Sequence, residues 1–140
     1  LKEVQRASGR DGCAAGFEYI GEPDRDGKFE FLRSLDIFSV PTAYPEAKGL
    51  YVLEAMACGV PVVLPRHGSF PELVEATGGG ILYDPPTAAA LADGIARLAT
   101  DAPLRRLLGE RGRASVHERF TDRHMADRTW EIYQRYARES

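Results

Sequence analysis

Residues 41–65 read PTAYPEAKGLYVLEAMACGVPVVLP and hold a helix-length apolar run between two strand-like segments. The first segment ends at Pro41, a polar loop follows it, and Gly49 allows the chain to turn. Residues 50–58 are apolar apart from Glu54, and the strand-like PVVLP comes soon after them. A strand, a helix and a second strand in this order predict a βαβ unit of a parallel sheet.

Outside this stretch, short apolar runs also alternate with helix-like segments. β-branched and aromatic residues are frequent in them, which is typical of buried strands. The predicted strands are residues 17–21 (FEYIG), 36–41 (DIFSVP), 61–65 (PVVLP) and 80–84 (GILYD). The predicted helices between them are residues 29–34, 50–58 and 71–76, the last one ending before the glycines at 78–80. This order predicts an α/β fold.

In the C-terminal third of the chain, apolar residues recur at helical spacing throughout, which predicts helices only. Thr87, Asp101 and Thr121 are the predicted N-caps of three successive helices. We expect Trp130 and Tyr133 to need another surface to cover them, because they fall outside the main apolar stripe of the last helix. That stripe is expected to seal a core and consists of Met125, Thr129, Ile132 and Tyr136.

Composition favours one water-soluble globular domain. The chain has 140 residues, of which 44% are hydrophobic and 28% charged, and its net charge is −3. This charge gives no electrostatic footprint for nucleic acid or anionic lipid, and no apolar run is long enough to span a membrane. Cys13 and Cys58 have no metal-ligand spacing, which predicts a reducing, cytoplasmic location. Peripheral association with the inner face of the membrane stays open.

The predicted helix after Gly49 begins at the carboxyl end of a strand, where open α/β sheets bind ligands. The first amides of a helix are unpaired and carry a partial positive charge, so the backbone N–H groups of Gly49, Leu50 and Tyr51 are candidates to bind phosphate. Glu54 points back toward this end of the helix, and ribose hydroxyls would suit its carboxylate. The same reasoning assigns Glu46 to sugar hydroxyls. From the residues alone, a solvated or ion-paired role for either carboxylate is equally open.

Glu46 and Glu54 have seven residues between them, and the chain continues from Glu54 as EAMACGVPVV, then GSFPELVE, GGGILYDPPTAAALADGI and ERFT. In this order the segments resemble the donor half of a large family of retaining glycosyltransferases. Its members have two Rossmann-like domains (the GT-B fold; group 1, family 4-like) and include bacterial mannosyl- and glucosyltransferases. The similarity spans residues 17–136.

The resemblance implies a Rossmann-like parallel sheet flanked by helices, incomplete at its N-terminal side and followed by a helical C-terminal segment. It implies that Glu46 holds donor-sugar hydroxyls and is the catalytic residue of this half, while the amides of Gly49 to Tyr51 hold phosphates and Glu54 holds the ribose. The substrate would be a UDP-, GDP- or ADP-sugar, with no cofactor and no metal. The full-length protein would be a hexosyltransferase.

Two positions depart from the pattern of many relatives. Lys48 stands where an aromatic residue is frequent, and it contacts a phosphate or sugar or is simply solvated; we favour the solvated state. Ser69 follows Gly68 where a Gly-Gly pair is frequent, so it either tunes sugar choice or is an ordinary turn residue.

Relatives begin this domain with two further βα units, including an Arg and a Lys that neutralise the diphosphate, and nothing here matches them. We therefore expect residues 1–140 to be a partial donor-binding domain, inactive without those units and without a preceding acceptor domain of the same protein. In a sheet of order 3-2-1-4-5-6 the missing strands would separate residues 17–21 from residues 36–41, so we expect no direct pairing between these two.

Two other functions remain as alternatives. A nucleotide-sugar epimerase half would share the fold, but those proteins lack the features around Glu46. A non-enzymatic receiver-like signalling domain would need an acidic cluster and a phosphorylatable Asp that we do not find. His67, His117 and His124 show no metal spacing and are interpreted as surface or turn residues. The nucleotide base, the sugar and the acceptor are not predicted.

Overall fold

The computed structural model describes Gly16 and residues 18–139. Three parallel strands form its sheet in the order β1 (Phe38–Ser39), β2 (Val62–Pro65) and β3 (Gly80–Tyr83). Phe38 pairs with Val62 across β1 and β2, and Val62 pairs with Gly80 across β2 and β3. All three strands lie within predicted strands, so the α/β fold with a parallel sheet is confirmed.

Six helices accompany these strands in the described part of the chain. They are α1 (Arg25–Ser34), α2 (Leu50–Ala57), α3 (Phe70–Thr77), α4 (Ala88–Thr100), α5 (Ala102–Arg119) and α6 (Asp122–Glu139). Helix α2 agrees with the predicted apolar helix to one residue. Helix α1 begins four residues before its predicted start, because Asp24 caps it by accepting a hydrogen bond from the amide of Gly27 at 2.9 Å.

The central strand β2 is buried on both faces. Val62 and Leu64 pack into the larger core with α1, α2 and α3, whereas Val63 packs into a second core with α4 and the first part of α5. This separation follows from the alternation of side chains along a strand. The result is a layer of helices on each face of a parallel sheet, which is a Rossmann-like arrangement.

The predicted caps of the C-terminal helices are confirmed. The hydroxyl of Thr87 accepts from the amide of Ala90, and the carboxylate of Asp101 accepts from the amide of Leu104. The hydroxyl of Thr121 accepts from the amide of His124 at the start of α6. Short side chains with an acceptor oxygen satisfy helix-start amides without help from tertiary contacts, so sequence alone located these starts.

The prediction of a strand at residues 17–21 is wrong for its described part, residues 18–21, which lie outside every strand. The side chains of Tyr19 and Ile20 are largely exposed. A strand requires a hydrogen-bonding neighbour, and in the described part of the chain β1 pairs with β2 only. The expected lack of direct pairing between residues 18–21 and residues 36–41 is therefore observed, whereas Phe17 and Cys13 lie outside the described residues.

Helix α6 does not seal a core with its predicted stripe. Met125, Ile132 and Tyr136 are 69%, 51% and 65% exposed, and Trp130 and Tyr133 are exposed too. The helical prediction was right, because helical spacing follows from periodicity. The core prediction was wrong because burial needs a second surface, and these side chains stay more than half exposed in the described structure.

Candidate functional site

Two loops meet at the carboxyl edge of the sheet, one leaving β1 (residues 42–49) and one leaving β2 (residues 66–69); we call them the edge loops. The amide of Ser69 donates to the carbonyl of Glu46 at 2.8 Å. Nε2 of His67 donates to the carbonyl of Thr42 at 2.9 Å, since a carbonyl can only accept. These bonds hold the loop that carries Glu46 against the loop that follows β2.

Glycine is required at two points of this contact. Gly68 has φ +59°, and a Cβ built there would lie 2.5 Å from the backbone nitrogen of Glu46. Gly49 has φ +65°, and its Cβ would lie 2.8 Å from Cδ1 of Leu73. The left-handed backbone disfavours a side chain at both positions, and at Gly68 the Glu46 backbone also leaves no room for one, whereas the end of the Leu73 side chain beside Gly49 could shift.

The carboxylate of Glu46 turns back onto its own loop and the start of α2. Its Oε1 accepts hydrogen bonds from the amides of Lys48 (3.0 Å) and Gly49 (3.2 Å). Its Oε2 accepts one from the hydroxyl of Tyr51 at 2.7 Å. These bonds, led by the Lys48 amide and the Tyr51 hydroxyl, lower the pKa of Glu46 from 4.5 to about 2. Burial and the bond to Glu46 raise the pKa of Tyr51 to about 12.

The three predicted phosphate-binding amides are not equivalent. The amide of Gly49 is already bonded to Glu46. The amides of Leu50 and Tyr51 donate to no acceptor within residues 18–139. Two unpaired N–H groups at the start of the eight-residue helix α2 are thus available to an anion.

The side chain of Glu54 is about two-thirds buried, with 32% of its surface exposed. Its Oε1 pairs with Nζ of Lys28 at 2.7 Å, which joins α1 to α2. Both residues line a cleft of about 330 Å³, which we call the Glu54 cleft; Gly21, Phe38 and Tyr51 also line it. Tyr51 thus bonds to Glu46 through its hydroxyl and lines the same cleft as Glu54.

The two departures from the family pattern lie beside this site. Lys48 is exposed, and its ammonium contacts none of the described residues. Ser69 precedes α3, and its hydroxyl is buried without a hydrogen-bond partner in the described chain. A Cβ at Gly49 would lie 3.5 Å from that hydroxyl, so Ser69 belongs to the same corner as Glu46.

Comparison with known proteins identifies the family. Residues 2–115 match the sequence model of the family described as glycosyl transferases group 1. The chain belongs to this family. Among curated relatives, it is 37% identical over 109 residues to N-acetyl-alpha-D-glucosaminyl L-malate synthase of Bacillus anthracis, a match that covers 78% of this chain and 28% of that protein.

Solved structures show the same fold. Sucrose-phosphate synthase from Thermosynechococcus elongatus superposes with a TM-score of 0.85 and 27% identity, over 99% of this chain and 35% of that one. Alr3699/HepE from Anabaena, solved with UDP and with UDP and glucose, gives a TM-score of 0.84 and 25% identity over 95% of this chain and 36% of that one. The Rossmann-like domain of the GT-B type is confirmed.

This group 1 glycosyltransferase chain spans only 18% to 29% of the length of the first curated relatives it matches. The family match favours glycosyl transfer over the epimerase and receiver-like alternatives.

In the described part of the chain, no helix combines the length and apolarity that crossing a membrane requires. Within Gly16 and residues 18–139, no three His, Cys, Asp or Glu side chains form a group that could hold a metal ion.

Sequence reasoning missed two side chains of this candidate site. Lys28 gave no signal because its partner Glu54 lies 26 residues away. The phenol of Tyr51 was overlooked because attention went to its amide, although a Tyr five residues after a loop Glu could have suggested the bond.

His67 is a turn residue as predicted, but it is half-buried and its Nδ1 has no partner in the described chain. With Thr42, Tyr83 and Leu91 it lines a mainly apolar cleft of about 490 Å³ beyond the strand ends. Only the tertiary structure brings these segments together.

Proposed function

We propose that this chain is the donor-binding half of a retaining glycosyltransferase, which moves a hexose from a nucleoside diphosphate sugar to an acceptor. The observation that supports the proposal most is the arrangement at the start of α2. Two unpaired amides, of Leu50 and Tyr51, follow the loop that carries Glu46 and precede Glu54 on the same helix, and the Tyr51 side chain bonds to Glu46 and lines the cleft that Glu54 lines. A diphosphate with a ribose on one side and a sugar on the other has the matching order of charge and hydroxyl groups.

The ribose is assigned to the Glu54 cleft. Lys28 occupies one carboxylate oxygen of Glu54, whereas Oε2 accepts from none of the described residues. A half-buried carboxylate oxygen without a donor is favourable for a ribose hydroxyl, because a charge-assisted bond recovers the cost of removing it from water. Gly21 and Phe38 would then lie beside the nucleoside.

The sugar is assigned to Glu46. A carboxylate has about four acceptor positions, and three are filled by Lys48, Gly49 and Tyr51. The remaining position, on Oε2, can accept one sugar hydroxyl. Its pKa of about 2 keeps Glu46 ionised at neutral pH, which favours the stronger charge-assisted bond.

Lys48 and Ser69 are proposed as secondary donor contacts. The exposed ammonium of Lys48 can approach a phosphate without breaking an existing bond. The unpaired hydroxyl of Ser69 can contribute to sugar choice, because it is buried in the same corner as Glu46 and Gly49.

Retention at the anomeric carbon, cytoplasmic location and the absence of a metal requirement are proposed from the resemblance and the cysteine pattern alone. The acceptor site is proposed to lie in a preceding domain of the same protein. The matched part of this chain makes up only 28% and 18% of the length of two relatives, which supports this assignment. We propose that this domain also covers the exposed apolar face of α6, where Trp130 and Tyr133 lie.

The test uses the full-length protein with UDP, GDP and ADP and with UDP-glucose, GDP-mannose and ADP-glucose. Thermal stabilisation of the wild type identifies the preferred base, because stabilisation grows with ligand excess over its dissociation constant. We expect Glu54→Gln to weaken binding of the preferred bare diphosphate and of its sugar form alike, by roughly 1–3 kcal/mol.

We expect Glu46→Gln to lower the affinity for the sugar form and the turnover rate about tenfold, while the affinity for the bare diphosphate stays as in wild type.

Glu110→Gln, an exposed change on α5, is the matched control and should alter neither ligand. If none of the six compounds stabilises the wild type, the proposed function is wrong. Equal loss of bare diphosphate and sugar form in Glu46→Gln would show that Glu46 supports the loop and does not hold the sugar.

A further inference from the structure

The side chain of Tyr51 connects the two halves of the proposed donor site. Its hydroxyl donates to Oε2 of Glu46 at 2.7 Å, and its ring lines the Glu54 cleft. The ring is half-buried and packs against Phe38 with centroids 6.3 Å apart at 58°. Tyr51 is therefore held at one end by the core and at the other by the carboxylate.

The bond from Tyr51 decides what Glu46 can still bind. The amides of Lys48 and Gly49 fill Oε1, so Oε2 is the oxygen left for a ligand. Tyr51 takes one of its two acceptor positions and thereby sets the direction of the other. Without the hydroxyl, Oε2 would have two open directions and would also accept from water.

We propose that Tyr51 is a positioning residue, which orients Glu46 toward a donor-sugar hydroxyl and links this orientation to the walls of the Glu54 cleft. The inference rests on the proposed function and goes beyond it, because it assigns a role to the phenol and not to the amide of Tyr51. The lowered pKa of Glu46 and the raised pKa of Tyr51 agree with a bond between an ionised carboxylate and a neutral phenol.

Four other titratable side chains belong to the same loops or cleft. Lys48 and His67 belong to the edge loops, and Lys28 and Glu54, which form an ion pair, line the same cleft as Tyr51. None of these four side chains donates a hydrogen bond to the Glu46 carboxylate within the described residues. A change in the titration of Glu46 on removal of the phenol hydroxyl is therefore attributable to Tyr51.

The test is Tyr51→Phe in the full-length protein, which keeps the ring and removes only the hydroxyl. We expect kcat/KM for the preferred compound among UDP-glucose, GDP-mannose and ADP-glucose to fall about tenfold. Binding of the matching bare diphosphate should stay within about twofold of wild type. The acidic limb of the kcat/KM profile should move to higher pH, because loss of the bond raises the pKa of Glu46.

Tyr44→Phe is the matched control, since Tyr44 lies in the same edge loop with a side chain that is 83% exposed. The double variant Tyr51→Phe with Glu46→Gln should be no worse than Glu46→Gln alone. An unchanged profile in Tyr51→Phe, or equal loss of bare diphosphate and sugar form, would overturn the positioning role. If Glu46→Gln itself has no effect on the sugar form, the failure belongs to the proposed function instead.

Discussion

The edge loops and helix α6 differ in how far their side chains are engaged by the rest of the domain. In the edge loops, the carbonyl of Glu46 and both oxygens of its carboxylate have donors within the chain. On α6, Met125, Trp130 and Tyr133 are 69%, 62% and 65% exposed. The geometry of the Glu46 carboxylate is thus set by bonds within this domain, whereas the apolar side chains of α6 remain largely exposed.

The largest expected effect comes from breaking the contact between the edge loops. Gly68→Ala places a Cβ against the Glu46 backbone at a left-handed φ, and we expect a loss of about 3 kcal/mol of stability. Calorimetric melting of the full-length protein measures it, and binding of sugar nucleotides should fall as well because Glu46 moves.

Gly59→Ala is the control for the backbone strain alone. Gly59 also has a left-handed φ, of +81°, but a Cβ there meets only Cδ of Arg113 at 3.8 Å. We expect a cost of about 1 kcal/mol and normal ligand binding. Equal costs at Gly59 and Gly68 would mean that the edge loops separate easily and that their contact does not position Glu46.

An intermediate effect is expected on α6. Trp130→Ala in the full-length protein should cost about 1–2 kcal/mol, because we propose that another domain covers this face. Gln134→Ala on the same exposed helix should cost less than about 0.5 kcal/mol. If the melting temperatures of the two variants agree, the apolar face of α6 is open to solvent in the full-length protein, and no other domain covers it.

The smallest effect concerns pH. The pKa of Glu46 is lowered from 4.5 to about 2, so its ionised form stabilises the fold. This contribution is complete above pH 4.5 and is lost as the pH falls toward 2. The difference in melting temperature between wild type and Glu46→Gln should therefore shrink between pH 5 and pH 2.5. A constant difference over this range would show that the edge-loop bonds do not depend on the charge of Glu46.

Sequence reasoning succeeded where the signal is local. The apolar run of α2 and the helix caps at Thr87 and Asp101 agree with the structure, because each depends on neighbouring residues. The same reasoning placed Glu46 in the loop before α2 and Glu54 within that helix, which agrees with the structure. It erred at residues 18–21, where an apolar run has no strand beside it in the described chain, and on the α6 stripe, whose apolar side chains are largely exposed.

The sequence by itself determined the order of the helices and of the three strands of the sheet, and the family to which the chain belongs. Only the tertiary structure decided which groups meet: Lys28 with Glu54 over 26 residues, His67 with Thr42 over 25, and Gly68 against the Glu46 backbone. Periodicity and caps act over a few residues and leave a pattern in the chain. Contacts between distant segments depend on how the sheet brings strand ends together, and they leave no local pattern in the sequence.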